Sequence, residues 1–278
     1  MTTAQKIIKY CALALALILV LAIVGGILRI AFLFIGNDDG DRAPESNGEM
    51  RVLLNESENL QIDEIDIEVY AVNLSIAYGD TLKVETDSGY ISCDLVNGKL
   101  TVNESSRSWL SHASCAGTDT EAEEILNITL PYSASVKSVE LESGAGMINI
   151  KDLTAENINF EFGAGEAVLS KIKAKTADIQ CGVGKVTVFS SEIDGLSLEA
   201  GVGEVKLEAA LGDSTVDCGV GKVELLLLGD AENYKLDVSR GIGSVDVNGL
   251  KKDGDVYGNG LNVVEINGGI GSVFVTVG

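Results

Sequence analysis

One unit returns along the second half of the chain: a pair of glycines one residue apart. It falls at Gly144 and Gly146, Gly163 and Gly165, Gly182 and Gly184, Gly201 and Gly203, Gly219 and Gly221, Gly241 and Gly243, and Gly269 and Gly271. The steps between copies are 19, 19, 19, 18, 22 and 28 residues, and "CGVGKV" is written twice. A near-constant period over many copies marks a solenoid, whose repeats bury their apolar faces only by stacking on one another.

The residues within a period say which solenoid. After each second glycine apolar residues alternate with polar ones, as in Ile148/Ile150, Val186/Val188 and Val205/Leu207, and a second alternating pair such as Ile158/Phe160 or Leu196/Leu198 closes the repeat. Period two with β-branched residues predicts strands. The expected fold is therefore all-β: a β-solenoid with coils of about 19 residues and Gly-x-Gly corners, since glycine turns sharply and lets backbones approach closely. Its 32 glycines against 2 prolines suit such a chain. Phosphate binding does not follow from "CGVGKV", because Lys185 precedes Val186 and no glycine stands at the P-loop offset.

Columns through the stack carry further expectations. The residue after the second glycine runs Met147, Glu166, Lys185, Glu204, Lys222, Ser244, Ser272. Its Glu166, Lys185, Glu204, Lys222 portion is a charge ladder that opposes a one-coil slip. The residue before the first glycine, which includes Cys181 and Cys218, points inward, and two coils of separation exceed the reach of a disulfide. One place earlier run Glu142, Glu161, Gln180, Glu199 and Asp217, a solvated acidic face expected to be compensated in part by Lys185 and Lys222.

The N-terminal part is different. Residues 1–9 form a cytoplasmic tail. Residues 10–35, "YCALALALILVLAIVGGILRIAFLFI", are apolar except for Arg29 and long enough to cross a bilayer as an uncleaved signal anchor. Lys6 and Lys9 before it and the acidic run after it place the N-terminus inside and the body outside, in the cell membrane with a single pass. Residues 36–59 read as an acidic linker. Residues 60–278 form the solenoid, with 60–140 as irregular coils or a cap and 141–278 as the regular repeats. Residues 104–124 break the pattern as an excursion flanked by Cys93 and Cys115, which outside the cell are candidates for a disulfide pinning its base. The chain stops on "GGIGSVFVTVG", so residues 267–278 are expected to form an open terminal coil able to pair with another copy.

The run "ILNITLPYSASVKSVELESGAGMINI", preceded by "IDEIDIEVYAVNLSIAYGDTLKVET", resembles the bacterial putative adhesin domain family. The resemblance spans roughly 60–278 and rests on order and repetition. It implies a repetitive β-solenoid without assigned activity, often carried behind a membrane segment.

Function classes narrow accordingly. Net charge is −22, with 42 acidic against 20 basic residues, so nucleic acid is excluded as a partner. The single histidine, His112, excludes multi-His metal sites, and in the irregular 104–124 stretch it reads as an exposed loop residue and not as the base of a triad. We expect no catalytic residues, no cofactor and no metal. The reading is a membrane-anchored extracytoplasmic binding or adhesion scaffold for a surface polymer or protein, the alternative being an envelope sensor or regulator acting through a membrane-protein partner.

Overall fold

The computed structural model describes residues 49–56, 61–105, 124–252 and 255–278. Strands dominate them, in the order β1 (Arg51–Glu56), β2 (Glu64–Gly79), β3 (Leu82–Thr86), β4 (Ile91–Val96), β5 (Lys99–Glu104), β6 (Glu124–Pro131), β7 (Ser138–Lys151), β8 (Thr154–Ser170), β9 (Lys173–Leu211), β10 (Ser214–Leu227), β11 (Tyr234–Val247), β12 (Leu250–Lys252), β13 (Asp255–Tyr257) and β14 (Asn262–Val277). A single 3-10 turn, Ala231–Asn233, interrupts them. The expected signal anchor at 10–35, with Arg29 and Cys11, lies outside the described residues, as do His112 and Cys115.

All fourteen strands share one sheet. From β2 through β7, β8, β9, β10, β14 and β11 each neighbour is parallel and in register, with glycine beside glycine from β7 onward and Tyr70 and Val72 at the corner of β2. The long strands bend at the Gly-x-Gly corner, so each coil is two short strands enclosing a core, and β9 contributes two coils. Alternation decides what goes inside: Val139, Leu141, Ile148 and Ile150 in β7, Val205 and Leu207 in β9, Val223 and Leu225 in β10 are all buried. Burying each such side chain stabilises by about 1.5–3 kcal/mol, and every coil supplies several.

Glycine is required at the first corner by close approach. A methyl on Gly203 would overlap the carbonyl oxygen of Gly184 one coil below, and Gly203 has φ +148°. In the first regular coils the second corner carries no glycine. Asp152, Lys171 and Ser190, at φ 61°, 53° and 52°, turn it in successive coils. Serine hydroxyls tie it down: Ser191 Oγ accepts from the amide of Ile172 and donates to the carbonyl of Phe189.

The first end of the stack is capped by five shorter strands, with β5 and β6 parallel to β2, and with β4, β3 and β1 added antiparallel beyond them. The half of β2 before its corner pairs with β5, which pairs with β4, and the half after it pairs with β6, then β3, then β1. The corner between them has no strand beneath it. There the carboxylate of Glu104, 4% exposed, accepts from the amides of Tyr70 and Ala71 at 2.7 and 3.3 Å. It takes the place that the carbonyls of a further coil would occupy. Lys99 of β5 bridges Glu64 and Asp66 of β2 at 2.7 and 2.9 Å and fixes the same cap. Residues 51–56, assigned by composition to the linker, instead form β1. Arg51 donates to the carbonyls of Ser88 and Ile91, which a strand too short to show its period does not announce.

The other end departs from the sequence order. Strand β14 lies between β10 and β11, paired along its length with both. The expectation that residues 267–278 form an open terminal coil is therefore corrected: β14 is interior, and β11 is the outermost coil. Its edge is covered on both halves, by β12 and β13 running antiparallel. The physical reason is the longer connection after β10, which carries the chain past one rung. Tyr234, 3% exposed, anchors this detour, donating to the carbonyl of Leu228 and accepting from the amide of Leu211. The chain then returns to fill the slot, where Asn262 donates to the Leu211 carbonyl and Asn248 accepts from the Val277 amide.

Candidate binding surface

The Gly-x-Gly corner sets three columns side by side on the outside of the stack. Because both glycines stack backbone on backbone, the residue between them is pushed outward. That residue is Ala71, Ala145 and Ala164 on the first rungs, all exposed. It then becomes Val183, Val202, Val220, Ile270 and Ile242 in stacking order. Val183 is 56% exposed and Ile242 74%. Eight rungs at the ordinary ~4.8 Å strand spacing make an apolar ridge about 34 Å long. Sequence reading weighed the columns on either side and passed over this one. The signal was present in the letter x of each Gly-x-Gly.

On one side of the ridge runs the acidic column. Glu68 neighbours Glu142, Glu142 neighbours Glu161, and Glu161 neighbours Gln180; Glu199 and Asp217 continue it. Partial burial, then Glu161 and Glu68, push the Glu142 carboxyl above the usual glutamate value. An open groove of about 500 Å³ follows the column, with Tyr70, Phe162, Gln180 and Cys181 among its lining. Tyr70 closes one end, its hydroxyl donating to Glu68 at 2.8 Å, and burial together with that carboxylate pushes the phenol up to about 12.

Compensation of this column by Lys185 and Lys222 is corrected. Both lysines sit across the ridge, where Lys185 pairs with Glu166 at 3.3 Å and Lys222 with Glu224 of its own strand. Among the described residues Glu142, Glu161 and Glu199 have no cationic partner. The distance across a corner decides it, for a lysine on the far column finds a carboxylate nearer at hand.

On the other side stands the charge column. Glu166 faces Lys185 and Glu204 faces Lys222 in register. The ion pair along it is Glu166–Lys185, while Lys222 turns to Glu224 and lies 5.4 Å from the centre of the Phe274 ring. Ser272 and Ser244 end the column, hydroxyl to hydroxyl at 3.2 Å. Exposed pairs of this kind contribute about 0.2–1 kcal/mol each.

The other sequence-selected residues fall as follows. Gly144, Gly146, Gly163, Gly165, Gly182, Gly184, Gly201, Gly203, Gly219, Gly221, Gly241, Gly243, Gly269 and Gly271 form the two corner columns, each stacked against backbone of the adjacent coil. Cys181 and Cys218 are buried free thiols, and burial raises both above the usual thiol value. Cys93 lies half-buried on β4, its thiol pushed up to about 11 by burial and by Asp94; the bridge to Cys115 involves a residue outside the described ones. The carboxylates run in a line and do not converge. Among the described residues no three or more His, Cys, Asp or Glu stand close enough to hold a metal ion, and no helix is long and apolar enough to cross a membrane.

What the corner presents is a long, repetitive surface in place of a pocket around reacting groups. The fold and the surface define a capped β-solenoid, a repeat protein whose exposed columns are its distinguishing chemistry. The chain belongs to the Toastrack DUF4097 family, a domain family of unknown function, matched over residues 49–259. The match starts at β1, earlier than the resemblance read from the sequence, and ends before β14.

Three solved structures are similar. A putative adhesin from Bacteroides fragilis is 10% identical, with TM-score 0.48, covering 85% of this chain and 100% of its own. A putative adhesin from Parabacteroides distasonis is 14% identical, with TM-score 0.42 over 83% of this chain and 98% of its own. A putative lipid binding protein from the same species is 15% identical, with TM-score 0.38 over 82% and 97%. No curated protein matches.

Proposed function

We propose that the chain is a non-enzymatic binding scaffold, held to the cell membrane by residues 10–35 with its solenoid on the extracytoplasmic side. One observation carries the reading: the functional groups the fold exposes are arranged as continuous columns along many coils, a geometry for contacting an extended partner. Catalysis requires the opposite, a few groups gathered around one reacting atom. The charge of −22 directs the choice of partner away from nucleic acid. The anchoring rests on the apolar run and its flanking charges.

The test is photo-crosslinking in living cells from outward positions on several coils, with captured material identified by mass spectrometry. Capture of wall polymer or of a surface protein supports the scaffold. Capture of resident membrane proteins alone replaces it with the sensor or regulator reading. Absence of capture from every face of the solenoid overturns both.

A further inference from the structure

The ridge combines three properties that together specify an occupant. It is aliphatic and exposed where a solvated corner needs only small polar residues, and a contiguous apolar strip of this kind marks an interaction surface. It grows in size along the stack, from alanine at the capped end through valine to isoleucine at the far end. It is bordered by Glu142, Glu161 and Glu199, which find no cation within the described residues. Rungs recur at about 4.8 Å, close to the ~5.4 Å rise of a helical turn and far from the ~6.8 Å between same-face residues of an extended strand. A helix laid along the ridge therefore meets a new aliphatic side chain nearly every turn. About 22 residues of helix cover its whole length.

We propose that the ridge and the acidic column beside it dock a basic amphipathic helix of a partner, with apolar residues on the ridge and Lys or Arg reaching the carboxylates. The proposal rests on the scaffold reading and names the chemistry of its partner. A second copy of this chain is the disfavoured occupant, because it would bring a second strongly acidic surface to the same face. The mode is recognition of an amphipathic helix through anchors one turn apart, here on a ridge built by a sheet corner.

The experiment uses the full chain in nanodiscs of zwitterionic lipid and a synthetic 22-residue Leu/Lys amphipathic helix with a photoreactive residue on its apolar face. Crosslinks are expected on Val183, Val202, Val220 and their neighbours. Replacing Val183→Thr, Val202→Thr and Val220→Thr together keeps β-branched side chains in the strands and is expected to weaken half-saturation at least 10-fold. Replacing Glu142→Gln, Glu161→Gln and Glu199→Gln is expected to weaken it several-fold and to flatten its dependence on salt. Labelling spread over the opposite face, or undiminished in both triple variants, overturns the proposal, and so does a peptide with Glu in place of Lys that labels equally. Crosslinks between two protein copies across the ridge, displacing the peptide, overturn it in favour of self-association. Failure here with successful capture in cells from other faces leaves the scaffold standing; failure of both removes it.

Discussion

Gly203 and Gly195 show how differently two glycines in one strand can matter. At Gly203 a methyl collides with the Gly184 carbonyl and the backbone sits at φ +148°, so both space and conformation exclude a side chain. At Gly195 the nearest atom to an added methyl is the Lys175 carbonyl oxygen at 3.5 Å, an ordinary contact. Gly203→Ala is expected to cost about 3–4 kcal/mol, above the usual run of point mutants, because backbone strain and a backbone clash add. That corresponds to roughly 6–16 °C in the melting temperature of a domain this size. Gly195→Ala is expected to stay within about 1 kcal/mol of the parent, and thermal melts of the two variants side by side check the contrast. The same scale explains Glu104: a carboxylate that replaces a missing coil is invisible in any repeat pattern, because it acts where the repeat stops.

At the scale of the element, the decisive feature is the insertion of β14 between β10 and β11. Each of its faces toward a neighbour is a complete parallel ladder, so its amides should exchange with solvent as slowly as those of β10. Hydrogen exchange followed peptide by peptide is expected to show strong protection over 264–275; fast exchange there would mean an open terminal strand after all. Truncation before Asn262 should also release β11, which then has no parallel partner. The repeats of β7 to β10 were legible in the sequence because a period near 19 and an alternation of two leave one solution. The last coils were not, since Gly241/Gly243 and Gly269/Gly271 fit the corner column equally well and nothing local ranks them.

For the whole molecule Glu142, at the head of the uncompensated acidic column, makes one distinct contribution to the response to pH. The folded state holds the Glu142 carboxyl above its ordinary value, through partial burial and its neighbours Glu161 and Glu68. A carboxyl raised in this way takes up its proton more readily folded than unfolded, so it destabilises the fold at neutral pH. That penalty is relieved as pH falls through the raised value. Glu142→Gln should therefore melt above the parent at pH 7, with the difference closing as the pH is taken below the ordinary glutamate range. Glu224 and Asp63, held low first by hydrogen bonds from Lys222 and Gln61 respectively, act in the opposite sense. Their contribution is present above the ordinary carboxylate range and lost in acid, in parent and variant alike, so the difference between the two melts isolates Glu142.

By itself the sequence determined the all-β class, the coil, the glycine corners, the inward and outward faces and the family. Each is dictated by spacing along the chain, through the two-residue alternation of strands and the steric freedom that only glycine has. The tertiary structure decided the stacking order of the last coils, the cap made by β1, β3, β4, β5 and β6, the partners of Lys185 and Lys222, and the union of eight small outward residues into one ridge. These depend on which segments meet across the stack. A solenoid closes each rung on whichever backbone lies next to it in space, and the distance along the chain does not fix which that is.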